Sequence, residues 1–297
     1  MANGSLITNL GKNILLNRAY KANPDYTAPT QFKVGISNGT PAVTDTDLDV
    51  PVPISGTESV DDCDVANWTD DAEMTSTLNN VTFKEGTGSL NLIKDAGAAQ
   101  TASTDKTTTS RNFTSKELSN WLYIIDATAL AKLDATDSVI IRFGSDGTGA
   151  TDYYQKAWDL TDLAVGWNYL YFTSATADST AGAPVIAAMD YSYIALKATG
   201  AAIVWSAGDI IMDDWKVASS DDFLKDVVSG YPTFDESNHE VTMRATVTVT
   251  EANGYPINGL GLFNTDSTIK LASEDTFDDE SKSDTDEFVF ITVDRIV

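Results

Sequence analysis

From His239 to Thr250 (HEVTMRATVTVT) apolar and polar residues alternate at every step, placing Val241, Met243, Ala245, Val247 and Val249 on one side. A period of two predicts a long half-buried strand. The same reading predicts strands at Gln31 to Ile36, Ile257 to Phe263 and Phe288 to Val293, with a turn at Ser37-Asn38-Gly39. Leu10, Ile14 and Leu15 fall instead at helical spacing behind Thr8 or Asn9, either of which can cap a helix. Pro24 sets the end of that helix near Tyr20 to Asn23. Val50-Pro51-Val52-Pro53-Ile54 reads as an extended edge, and Asp221 to Val228 as a short helix.

The middle of the chain reads differently. Short strand candidates recur at Gly88 to Ile93, Trp121 to Ile125, Ser138 to Phe143, Trp167 to Phe172, Tyr193 to Leu196 and Ile210 to Val217. Turns rich in Gly, Asp and Thr separate them, and all six tryptophans lie in this block. Many short strands without convincing helices predict an antiparallel β-sandwich. The expected map is therefore a mainly β chain with a discontinuous α+β outer domain, residues 1–57 and 219–297, around an inserted sandwich at 58–218.

Composition narrows the function classes. The 297 residues carry 19 Lys and Arg against 44 Asp and Glu, a formal charge of −25. Such a chain is a poor match for nucleic acid, whose recognition depends on dense basic residues. The charge is uneven, +3 over residues 1–44 and −28 over the rest, which suits docking to an acidic neighbour or another copy. The densest acidic stretch, Glu274 to Glu287 with Ser281 inside it, reads as a solvated loop or a weak cation trap. One Cys and one His leave no disulfide framework, Cys-clustered metal site or multi-His centre. No apolar run approaches a membrane span, so no membrane insertion is expected, and Met1 to Ser5 shows no signal-peptide character.

Two stretches carry resemblances. Asp61-Asp62-Cys63-Asp64 with Trp68, Lys84-Glu85-Gly86-Thr87-Gly88-Ser89-Leu90, Gly166-Trp167-Asn168 and Ile211-Met212-Asp213-Asp214-Trp215 resemble the jelly-roll sandwiches of carbohydrate-binding modules. The resemblance implies a structural Ca²⁺ held by the side chains of Asp62 and Asp213 and the carbonyls of Lys84 and Gly88. The residues by themselves equally allow turn and strand-end capping. A sugar platform would draw on Trp121, Tyr123, Tyr153, Tyr154 and Trp158, because aromatic faces stack on the C–H face of a pyranose. Core filling competes with that role, and for Trp167 it is the expectation.

The ends of the chain resemble the N-terminal domain of bacteriophage tail-collar and tail-fibre proteins. Leu6-Ile7-Thr8-Asn9-Leu10-Gly11-Lys12-Asn13 and Phe32-Lys33-Val34-Gly35 match its helix start and first strand. Ile257-Asn258-Gly259-Leu260-Gly261-Leu262-Phe263-Asn264 matches a later strand, with Asn258-Gly259-Leu260 where an acidic start is usual. This implies a non-enzymatic virion part, homo-oligomeric and with a trimer favoured, that contacts other virion proteins and a host-surface glycan. The alternative is a stand-alone carbohydrate-binding module.

Catalysis finds little to work with. With 44 acidic residues a carboxylate pair always looks suitable for glycoside hydrolysis, so the pattern does not discriminate. His239 lacks an accompanying nucleophile or phosphate-loop motif. Cys63 sits among acids, which oppose a thiolate.

Overall fold

The computed structural model describes residues 6–36, 41–53, 57–147, 151–220 and 223–295. The chain divides into two compact units, one built from Met1–Ser55 with Asp221–Val297, the other from Gly56–Ser220. No helix among the described residues is long and apolar enough to cross a membrane.

The first unit begins with the helix Asn9–Tyr20. Thr8 caps it, its hydroxyl accepting the Gly11 N–H at 3.0 Å and donating to the Leu271 carbonyl at 2.6 Å. The helix thus starts pinned to a strand distant in sequence. Gly11 is required there, because a β-carbon would lie 1.9 Å from the Ala272 carbonyl oxygen. Ile14 is buried, while Leu15 and Leu16 are more than half exposed. The antiparallel sheet runs Leu6–Ile7, Leu271–Lys282, Tyr255–Asn264, Pro29–Ile36, Lys225–Asp226, with Val50–Pro51 also paired to Pro29–Ile36. A separate three-stranded sheet orders Thr233–Asp235, Glu240–Val247 and Phe288–Arg295.

Three expectations change here. The acidic stretch is strand as far as Lys282, because Tyr255–Asn264 pairs with Leu271–Lys282 almost end to end; 278–281 are exposed on that strand, and 283–287 form the exposed turn that follows it. Backbone pairing, which side-chain polarity does not reveal, decides it. The Asp221 to Val228 helix is absent from 223 onward; Phe223 and Val227 are buried at a spacing of four that an extended segment satisfies equally. The long alternating strand ends at Val247, leaving Val249 exposed and His239 in a turn with φ 57°. Ser37 to Gly39, Ile54 and Asp221 lie outside the described residues.

The second unit is a sandwich of two antiparallel sheets. Its eight main strands in chain order are Ser89–Lys94, Thr101–Arg111, Lys116–Ile124, Val139–Gly144, Tyr153–Trp158, Gly166–Thr173, Met189–Lys197 and Ile210–Ser219. Counted that way, one sheet is ordered 1-8-3-6 and the other 2-7-4-5, which is jelly-roll topology. Met74–Asn79, Thr69–Asp70 and Ser179–Ala181 extend the edges, and Glu58–Asp61 pairs with Ile210–Ser219. Between the sheets Leu90, Leu122, Phe143, Phe172, Ile194, Trp205 and Trp215 are all but inaccessible to solvent. Trp68 lies 5.1 Å from Trp215, and Phe113 meets Phe143 edge-on at 5.2 Å.

Candidate functional site

Strand alternation sends every second residue of a sandwich away from its core, and cross-strand register decides which of those meet. Arg142 pairs with Gln155 on one side and Tyr193 on the other, Tyr193 with Asp105, and Asp105 with Thr69. The result is a row crossing five strands of the 2-7-4-5 sheet on the face opposite Ile141, Ile194 and Thr104. Beside it Tyr153, Gly144, Tyr191 and Thr107 form a second row.

Arg142 organises this face. Its guanidinium lies 4.4 Å from the Tyr153 ring centre and 4.5 Å from that of Tyr193. Its Nε donates to Gln155 Oε1 at 2.8 Å. Two aromatic faces and one hydrogen bond hold the planar group in place, and its Nη atoms make no hydrogen bond among the described residues. Tyr191 is buried beside Asp105. Burial and the Asp105 charge raise its phenol well above the ordinary range. Asp105 is itself raised, chiefly by burial. Arg142, Tyr153, Gln155, Tyr193 and Asp105 remain half-exposed. Aromatic faces flanked by fixed donors and acceptors suit a ligand with alternating C–H and hydroxyl surfaces.

The five aromatic candidates fall in three places. Tyr153 belongs to the Arg142 face. Tyr154 and Trp158, on the same strand but of opposite parity, pack inward against the core, near Phe113 and Phe172 respectively. Trp121 and Tyr123 lie on the outward face of the other sheet. They form a cluster there with Trp167, Tyr169 and Tyr171, in which Tyr123 is 5.1 Å from Trp167 and Trp121 is 4.9 Å from Tyr169. Trp121 is 2% exposed and capped by the Lys84 ammonium 4.7 Å from its ring centre. Trp167, expected in the core, is half-exposed in this cluster because its strand neighbour Asn168 takes the more buried position. Sequence reading missed Arg142, Gln155, Tyr191, Tyr193 and Asp105. Arg142 sits at a polar step of an alternating strand, a visible signal, but its partners depend on register.

The calcium candidates meet only in part. Asp213 is fully buried; its Oδ2 accepts the N–H groups of Lys84 at 2.6 Å and Glu85 at 3.1 Å, while Oδ1 has no hydrogen-bond partner. Burial pushes its carboxyl up to about 7, against the opposing effect of those N–H donors. Asp62 is exposed, its Oδ1 accepting the Asp64 N–H at 3.3 Å. Asp62, Asp213 and Asp214 all act on Cys63, whose thiol is driven up mainly by burial. The buried, half-satisfied Asp213 fits a hard cation, but among the described residues no three carboxylate, imidazole or thiol groups stand together as a metal site. Its Oδ2 also performs the capping that the residues equally allowed.

No protein-family model matches the chain, and no curated protein matches it. Solved structures are similar to a little over half of the chain. The family 11 carbohydrate-binding module of cellulosomal cellulase Lic26A-Cel5E of Clostridium thermocellum is 9% identical, with a TM-score of 0.40, covering 56% of this chain and 95% of that one. The CBM22-1 xylan-binding domain of Paenibacillus barcinonensis Xyn10C is 14% identical, with a TM-score of 0.33, covering 57% and 95%. An exo-β-agarase is 10% identical, with a TM-score of 0.39, covering 56% of this chain and 25% of its own. The jelly-roll assignment rests on the strand order above.

Proposed function

We propose that the 56–220 unit is a non-catalytic glycan-binding sandwich whose ligand lies across the outward face of the Arg142 sheet. The observation that carries this reading is the Arg142 guanidinium fixed between Tyr153 and Tyr193 with Gln155 and Asp105 in the same row. Pyranose rings would stack on the tyrosines, and the arginine and carboxylate would take hydroxyls. Affinity electrophoresis of the full chain against mixed-linkage β-glucan, xylan and agarose, followed by Tyr193→Ala and Arg142→Ala, tests it. Retardation lost in both variants supports the proposal. No retardation in any gel, or retardation that survives both substitutions, refutes it. A structural Ca²⁺ at Asp213, with Asp62 and the Lys84 and Gly88 carbonyls, belongs to the same reading. Chelation should then lower the melting temperature of this unit.

A second reading gives the other unit an attachment role, placing the chain in a virion as a homo-oligomer with a trimer favoured. Its support is the motif resemblance of the chain ends together with exposed apolar side chains. Leu15 and Leu16 project from the helix, and Val289, Ile291 and Val293 from the edge strand Phe288–Arg295. Many copies would turn weak glycan sites into avid adhesion. Light scattering and co-sedimentation with virion components test this; a persistent monomer without particle affinity leaves the stand-alone binding module.

A further inference from the structure

Arg142 stands apart from most basic residues of its unit. Lys106 pairs with Asp61, Lys132 with Asp209, Lys156 with Asp178 and Lys197 with Asp134. Lys94, fully buried, donates to the carbonyls of Asp95 and Ala201. Arg142 has no carboxylate partner among the described residues, in a chain that holds 44 Asp and Glu. Register accounts for this. Asp105 belongs to the same row but lies two strands away, beyond Tyr193, and two strand spacings are about 10 Å. Asp152, Asp178 and Asp190 lie on or beside strands of this sheet, but their carboxylates accept the backbone N–H groups of Ala183, Ala157 and Gly147.

The guanidinium is nonetheless fixed in orientation. Its Nε is taken by Gln155, and the ring centres of Tyr153 and Tyr193 lie 4.4 and 4.5 Å from its Cζ. What remains is the end of the group, where the two Nη atoms present parallel N–H donors. A carboxylate matches that fork oxygen by oxygen, whereas a single sugar hydroxyl engages one donor and leaves the charge unbalanced. Arg142 is half-exposed between its two rings, so a counter-charge there gains more than it would in open solvent. The formal charge of −25 sets a second condition, because it repels a dense polyanion. A ligand that satisfies both carries its acids sparsely, with neutral sugars between them.

We propose that the ligand of this face is an acidic polysaccharide, in which the carboxylate of a uronic acid closes on the two Nη atoms of Arg142 while neighbouring neutral rings contact Tyr153 and Tyr193. This rests on the glycan reading of the face and gives that glycan a chemical class. Arg142 is then the residue that selects acid over neutral sugar, and the tyrosines supply affinity that both kinds of chain share.

The test compares binding of the full chain to glucuronoxylan and to xanthan, each in its native form and after carboxyl reduction, which turns the uronates into neutral sugars and keeps the backbone. The native form should bind at least about tenfold more tightly than the reduced one, as one charge-assisted pair gives. The ligand is altered and the protein is not, so folding does not enter this comparison. In Arg142→Gln native and reduced forms should bind alike; an arginine that only shapes the face would, when replaced, weaken both in proportion and leave the preference. Equal affinity for the two forms in the unmodified chain, or a preference that survives Arg142→Gln, overturns the proposal and leaves the glycan reading in place. Binding to neither native polymer also overturns it, and the neutral gels with Tyr193→Ala then decide the glycan reading separately.

Discussion

Arg142 illustrates how much a single residue's role depends on its neighbours. Stacked between two tyrosines, its planar guanidinium is not replaceable by an ammonium. Arg142→Lys is accordingly expected to lower glycan affinity nearly as much as Arg142→Ala, about tenfold, with little change in melting temperature; titration calorimetry with the best-bound polysaccharide checks it. Asp213 gives a pH prediction. Its folded-state pKa of about 7 lies above the unfolded value of roughly 3.9. The folded chain therefore holds this proton more tightly, and the associated stability is full at acidic pH and lost as pH rises through about 7. In chelator, melts taken across that range should fall with pH, and Asp213→Asn should flatten the fall. In the sequence Arg142 is only a polar step in a strand, and Asp213 one of two adjacent acids singled out by a resemblance. What each touches comes from elements far away in the chain.

Elements with strong side-chain patterns were legible. The helix behind Thr8 and the six strands predicted in the sandwich all form within a few residues of their expected bounds. Thr101–Arg111 was not legible, because its TASTDKTTTSR sequence buries little more than Ala102 and Thr104. It is a strand through pairing with Met189–Lys197, which lends it a ladder without needing its side chains. The acidic strand Leu271–Lys282 is the same case. Helix placement yields a prediction at this scale. Alanine normally favours a helix over glycine by about 1 kcal/mol, but at Gly11 its β-carbon would collide with the Ala272 carbonyl. Gly11→Ala should therefore destabilise the chain, by roughly 1–3 kcal/mol or more, where an exposed helical glycine would give a gain. Denaturant melts separate the two signs.

At the scale of the molecule, two units with separate cores imply two unfolding events. Differential scanning calorimetry should resolve two transitions, and replacing residues 56–220 by a short Gly-Ser linker should leave the cap at Thr8 and the sheet around Tyr255–Asn264 intact, with one transition remaining. Trp215→Ala should cost about 3–5 kcal/mol and lower only the sandwich transition. The amino-acid sequence by itself determined the mainly β class, the capped helix and the acidic surface, because hydrophobic period, capping chemistry and charge are local properties of the chain. Tertiary structure alone decided which outward residues meet. Tyr153 joins Arg142 while its neighbour Tyr154 turns to the core, and Thr8 meets the Leu271 carbonyl across more than two hundred positions. Sites are made by register and by chain segments laid over sheets, and register is settled by backbone pairing and close packing between distant elements, which no local pattern encodes.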